Sequence, residues 1–165
     1  MADARSTNDV RLRLELAGAP ESVGLVRAVI AAVTRAAGLD SALVDDIRTA
    51  VSEACNNVVL HAYPEGPGPL IFSLAVRAES IEAVIRDQGA GIRPGPARTR
   101  GLGMGVALIN SLADRAEFQS SEMGTEVRMR FRRPDKLPET LGRLRLGAWE
   151  PTDPRSSDAL RARSN

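Results

Sequence analysis

Two pairs of strand-like runs, each joined by only a few residues, most constrain what this chain can become. The first pair is "LIFSLAVRA" (70–78) and "IEAVIRD" (81–87), with Glu79 and Ser80 between them. The second lies within "AEFQSSEMGTEVRMRFRR" (116–133) and turns around Met123 and Gly124. Short runs bounded by turn residues read as strands. An earlier segment, "VRLRLELAG" (10–18), alternates apolar and charged residues and reads as a half-buried strand.

Helical patterns fill the intervals. Pro20 sits where a first helical turn tolerates it, and "ESVGLVRAVIAAVTRAAG" keeps helical spacing up to a closing Gly38. A second helix starts near Asp40 or Ser41 and carries Asp45 and Asp46 early, where the helix dipole favours acids. It runs to about Ala62, and "PEGPGP" (64–69) breaks it. "VALINSLADRA" (106–116) is the third. The order β-α-α-β-β-α-β-β predicts an α+β, two-layer sandwich: one mixed, mostly antiparallel sheet with its helices on one face.

A length of 165 residues suits a single domain. Residues 9–133 are expected to form it, after a flexible N-terminus at 1–8. From Pro134 the periodicity decays, and the tail to residue 165 holds four of the ten prolines, so it reads as poorly ordered. Within it, "LGRLRLGAW" (141–149) has enough apolar content to dock weakly on the domain or a partner.

Composition removes several functions. A net charge of +1 makes no case for nucleic acid or an anionic membrane. Lys136 is the sole lysine and lies near no glycine loop, which excludes a P-loop. One histidine, His61, and one cysteine, Cys55, exclude His/Cys metal clusters and disulfide frameworks. "MADARSTNDV" lacks the apolar core of a signal peptide, and no run is long enough to span a bilayer, so a cytoplasmic location is expected.

Three stretches carry chemistry. In "SEACNNVVLHAY" (52–63), Asn56 and Asn57 are poor helix formers in mid-helix. At about 100° per residue, Glu53, Asn57 and His61 follow one another roughly 40° apart on a single stripe. The apolar arc of Ile47, Val51, Ala54, Cys55, Val58 and Ala62 lies beside it. A carboxylate at such a border can act as a general base, and an amide oxygen is an acceptable ligand for Mg²⁺. Taken alone, these residues are better explained by a solvated helix face.

In "IRDQGAGI" (85–92), Asp87 ends a strand, and Gly89 and Gly91 let the backbone approach something closely. A plain strand-to-loop turn would use the same residues. The third glycine of a dinucleotide fingerprint is missing, and no helix opens directly after it. In "RGLGMGVALI" (100–109), Gly101, Gly103 and Gly105 precede the expected helix. Its free N–H groups, with Arg98 and Arg100, are suited to phosphate oxygens; a flexible loop ending in an N-cap accounts for the glycines equally well. Residues 88–105 hold six glycines, two prolines and three arginines, a connection long enough to be functional or disordered.

In order and spacing, "EACNNVVLHAY", "DQGAG" and "GLGMG" resemble the N box and the two glycine boxes of the gyrase, chaperone, histidine-kinase and mismatch-repair ATPase superfamily. A later Gly124–Thr125 pair before a strand fits as well. The helix ending in "HAY", the short lid and the small size are most similar to the bacterial anti-sigma factor serine kinases of the stress-response and sporulation type. The resemblance covers about residues 8–133.

It implies that Asp87 accepts a hydrogen bond from the adenine amino group of ATP, with Thr125 nearby, and that Asn57 ligates Mg²⁺. Gly89 and Gly91 would admit the base. Arg100, Gly101, Leu102, Gly103, Met104 and Gly105 would line the phosphates, and Glu53 would take the proton from a substrate serine. Asn56 departs from the small threonine expected there and receives no role; His61 matches the motif and serves equally well as a structural residue. The partners implied are a sigma factor, an anti-anti-sigma protein as substrate, and a second copy in a homodimer. Two other readings remain: a non-catalytic ATP-binding regulatory module, and a detached histidine-kinase-type ATPase domain.

Overall fold

A computed structural model describes residues 10–89 and 99–133, with the backbone alone at 99–103. The expected N-terminus, the 134–165 tail, Gly91 and Arg98 lie outside the described residues.

Among the described residues, five strands and three helices follow in the expected order. They are β1 (Val10–Ala17), α1 (Pro20–Ala36), α2 (Ser41–Asn57), β2 (Pro69–Val76), β3 (Ser80–Asp87), α3 (Thr99–Leu112), β4 (Arg115–Ser121) and β5 (Gly124–Arg132). Asp40 caps α2, its Oδ2 accepting the Ala42 N–H at 2.9 Å, which satisfies one orphan donor of the first turn. After Asn57 the helix widens into a π-helical turn, Val58–Ala62, before Tyr63. Such widenings are uncommon and recur at functional sites.

The sheet runs β1-β2-β3-β5-β4, and all four ladders are antiparallel. This refines the expectation of a mixed sheet. The β3–α3–β4 crossover leaves β3 and β4 pointing the same way, but β5 folds back between them, so no parallel pair forms.

Period-two alternation puts one row from each strand on the helix side: Leu14, Phe72, Ile85, Val127 and Phe118 stand in register. Against them lie Val26 and Ile30 of α1, Ile47, Val51, Ala54 and Cys55 of α2, and Ile109 of α3, all buried. Burial pushes the Cys55 thiol up to about 12, so it stays protonated and serves the core. Helix α2 packs between α1 and α3.

The opposite face carries charge. Arg128 bonds Glu82 at 3.1 Å and Glu126 at 2.8 Å, and Arg86 also bonds Glu126. Burial alone would push the Glu126 carboxyl up, but the two guanidinium groups outweigh it and hold it low.

The third helix departs from expectation. It begins at Thr99 rather than near Val106, so Gly101, Gly103 and Gly105 are helical. Glycine costs a helix about 1 kcal/mol relative to alanine, which is why the segment reads as a loop. Its first turn therefore starts at Thr99, and Gly103 and Gly105 lie one to two turns in, where the helix ladder uses their N–H groups.

Candidate functional site

Glu53 and Asn57 are half-buried one turn apart on α2, and both meet Gly105 of α3. A β-carbon on Gly105 would stand 3.2 Å from Glu53 Oε2, and 3.6 and 3.8 Å from the two polar atoms of the Asn57 amide. The missing side chain lets the helices close while both polar ends keep their place.

Asp87 ends β3 on the helix side and is 9% exposed, a rare state for a carboxylate. Its Oδ1 accepts the Gly89 N–H at 2.9 Å and the Thr125 N–H at 3.1 Å. Thr125 thus meets Asp87 through its backbone. Among the described residues nothing is bonded to Oδ2, which leaves an oriented acceptor. Gly124 makes the approach possible: its φ is 123°, and a β-carbon there would fall 2.1 Å from the Asp87 carbonyl oxygen.

The loop after Asp87 rests on the end of α2. A β-carbon on Gly89 would fall 2.2 Å from the Ala62 carbonyl oxygen, so only glycine fits. Next to Ala62, the Tyr63 hydroxyl donates to the Pro69 carbonyl at 2.6 Å and accepts the Gln88 N–H at 2.7 Å. Burial pushes the phenol up, the Gln88 bond draws it down, and the Asp87 charge raises it again. The net shift is upward, so Tyr63 stays a donor at neutral pH. Sequence reasoning missed this residue; the signal was the tyrosine of "HAY" followed by a glycine-rich break.

The structure thus brings Glu53, Asn57 and Gly105 together, and separately Asp87, Gly89 and Thr125, with α2 and its π-turn running between the groups. His61 is exposed and joins neither. Met104 is 77% exposed. Arg100, Gly101, Leu102 and Gly103 lie in the first turns of α3, beside Gly105 in the chain.

The chemistry of this set fits a magnesium nucleotide. Among the described residues no group of three His, Cys, Asp or Glu side chains could cage a metal. Mg²⁺ takes few protein ligands and completes its shell with phosphate and water oxygens. The Asn57 amide and the Glu53 carboxylate both face Gly105, and an amide oxygen there would suit such a partial site.

The boxes, the buried aspartate and the one-sided antiparallel sheet together define an ATPase-type nucleotide-binding fold. The chain belongs to the histidine kinase-like ATPase domain family, which matches residues 16–131. Serine-protein kinase RsbW of Halalkalibacterium halodurans is 30% identical over 132 residues, covering 71% of this chain and 80% of that protein. Serine-protein kinase RsbW of Bacillus cereus strain AH187 is 24% identical over 135 residues, covering 73% and 84%. Among solved structures, the RsbU and RsbW domains of Rv1364c from Mycobacterium tuberculosis match the fold with a TM-score of 0.60 at 20% identity. That match covers 78% of this chain and 34% of the longer one. The resemblance carried by the three boxes therefore holds at the level of the family.

Proposed function

We propose that this protein is an ATP-dependent protein serine/threonine kinase that binds a sigma factor and phosphorylates an anti-anti-sigma protein, so that phosphorylation switches partners. One observation carries the reading: a half-buried carboxylate and an amide in the last turns of α2 both face a helical glycine, while a buried aspartate presents one open acceptor oxygen on the strand whose following loop meets the π-turn that continues the same helix.

In this reading Asp87 Oδ2 accepts from the adenine amino group, and its Oδ1, held by two backbone N–H groups, keeps the carboxylate from turning away. Asn57 offers its amide oxygen to Mg²⁺. When bound, the ion offsets the phosphate charge and orients the terminal phosphoryl group. Glu53 receives the proton of the incoming hydroxyl as that oxygen bonds to the γ-phosphorus and the bond to the β–γ bridging oxygen breaks. ADP is the leaving group. The substrate then carries phosphoserine or phosphothreonine, whose added charge changes the surfaces it fits.

A homodimer, a cytoplasmic location and a role in stress-responsive transcription belong to the same proposal. Among the described residues no helix is long and apolar enough to cross a membrane. The test is to incubate the protein with labelled ATP, Mg²⁺ and candidate anti-anti-sigma proteins. Label transfer to a serine or threonine is expected; ATP binding without transfer to any cognate partner would replace the kinase with a binding module.

A further inference from the structure

We infer that Tyr63 is a positioning residue for adenine recognition: its hydroxyl bridges Pro69 and Gln88 and so sets the end of β3 that presents Asp87. This rests on the nucleotide reading above.

The β2–β3 ladder closes with Leu70 opposite Asp87, and continuing its register by one places Pro69 opposite Gln88. The Tyr63 hydroxyl stands between those two residues, donating to the Pro69 carbonyl at 2.6 Å and accepting the Gln88 N–H at 2.7 Å. One oxygen replaces the next rung. The strands are held apart by a fixed spacer, and the chain beyond Asp87 is free to drop onto the helix side, where Gly89 meets the Ala62 carbonyl.

The ring itself is held. A β-carbon on Gly68 would fall 2.2 Å from ring atom Cε1, and one on Gly18 would fall 3.4 Å from the other ring edge. The Gly18 N–H also donates to the Gly68 carbonyl at 2.7 Å. The β1 end and the β2 start therefore form a slot for the ring, in which Gly68 leaves no room for a side chain and Gly18 lies at ordinary contact distance. The π-turn Val58–Ala62 delivers the side chain to that slot. Tyr63 thus couples α2, which carries Glu53 and Asn57, to the strand end that carries Asp87.

The test uses Tyr63→Phe, which keeps the ring in its slot and removes only the bridge. The probes are ATP and inosine triphosphate, which has a carbonyl where adenine has its amino group. Wild type should prefer ATP. In Tyr63→Phe, ATP affinity should fall about tenfold, the worth of one or two hydrogen bonds, while inosine triphosphate changes less, so the preference shrinks. A lower thermal midpoint with an unchanged preference would reduce Tyr63 to a structural role and overturn the inference. Wild type that binds no ATP would instead overturn the nucleotide reading, and protection of the Gln88 amide, lost in Tyr63→Phe, would still test the bridge. Tyr63 is the only tyrosine in the chain. Should Tyr63→Phe fail to fold, 3-fluorotyrosine gives a single fluorine resonance that must shift with ATP more than with inosine triphosphate; no shift at saturation rejects the inference.

Discussion

Gly105 lies directly on Glu53: a β-carbon on the glycine would come within 3.2 Å of Glu53 Oε2. Gly105→Ala would improve α3 by about 1 kcal/mol in helix propensity while crowding the carboxylate and the Asn57 amide. The thermal midpoint should hold or rise as Mg²⁺–ATP affinity and turnover both fall. Equal affinity and turnover in wild type and variant, measured by calorimetry and labelled transfer, would dismiss Gly105 as part of the site.

Glu53→Gln separates binding from chemistry. The amide keeps the size of the side chain and removes the basic oxygen, so ATP affinity should change little. Single-turnover phosphotransfer should drop by about 10²–10⁴, the usual worth of a general base. Asn57→Ala should weaken Mg²⁺–nucleotide binding as well. Sigma-factor binding should survive Glu53→Gln. Phosphotransfer as fast as wild type would remove Glu53 from the role of base.

Asp87→Asn tests the acceptor. The new side chain can keep its oxygen toward the Gly89 and Thr125 N–H groups, so the fold persists. Its –NH₂ then faces the adenine amino group, donor against donor. ATP binding should weaken by about 1–3 kcal/mol, and selectivity against GTP should shrink. Undiminished ATP affinity with selectivity intact would move adenine recognition elsewhere.

Gly124→Ala should be among the costliest single-methyl changes in the domain. The backbone holds φ at 123°, and the added carbon would fall 2.1 Å from the Asp87 carbonyl oxygen. Strain and overpacking together should cost about 2–5 kcal/mol. Denaturant titration reads this directly, and a midpoint equal to wild type would show that the β4–β5 turn relaxes without cost.

Arg133 marks where the fold can be cut. Its N–H donates to the Glu79 carbonyl at 2.9 Å, and its buried side chain donates to the Ala37 carbonyl at 2.7 Å, just past α1. A cation there also complements the negative end of the helix dipole. Truncation after Arg133 should leave the thermal midpoint and ATP affinity nearly intact, whereas Arg133→Ala in the full chain should cost about 1–3 kcal/mol. A large loss on truncation alone would show that "LGRLRLGAW" packs on the domain.

Much of this was legible in the chain because it is local. Period-two alternation in Val10–Ala17 and the apolar arc of Ile47, Val51, Ala54 and Cys55 are fixed by side-chain spacing along one element. The pairing of Glu53 with Asn57 follows from helix geometry in the same way. The reach of α3 back to Thr99 was not legible, since three glycines read locally as a loop and only the approach to α2 explains Gly105. Nor was Tyr63: its bond to Gln88 crosses 25 residues and has no periodic signature.

The sequence by itself determined the order of elements, the alternation of β1, the buried arc of α2 and the order of the three boxes, because these depend on residue spacing within one segment. Only the tertiary structure decided that β5 enters between β3 and β4, that Thr125 serves Asp87 through its backbone across 38 residues, and that Tyr63 replaces a rung of the sheet. Those arrangements come from satisfying buried polar groups and closing packed surfaces at once, a condition on the whole chain that no single stretch of it expresses.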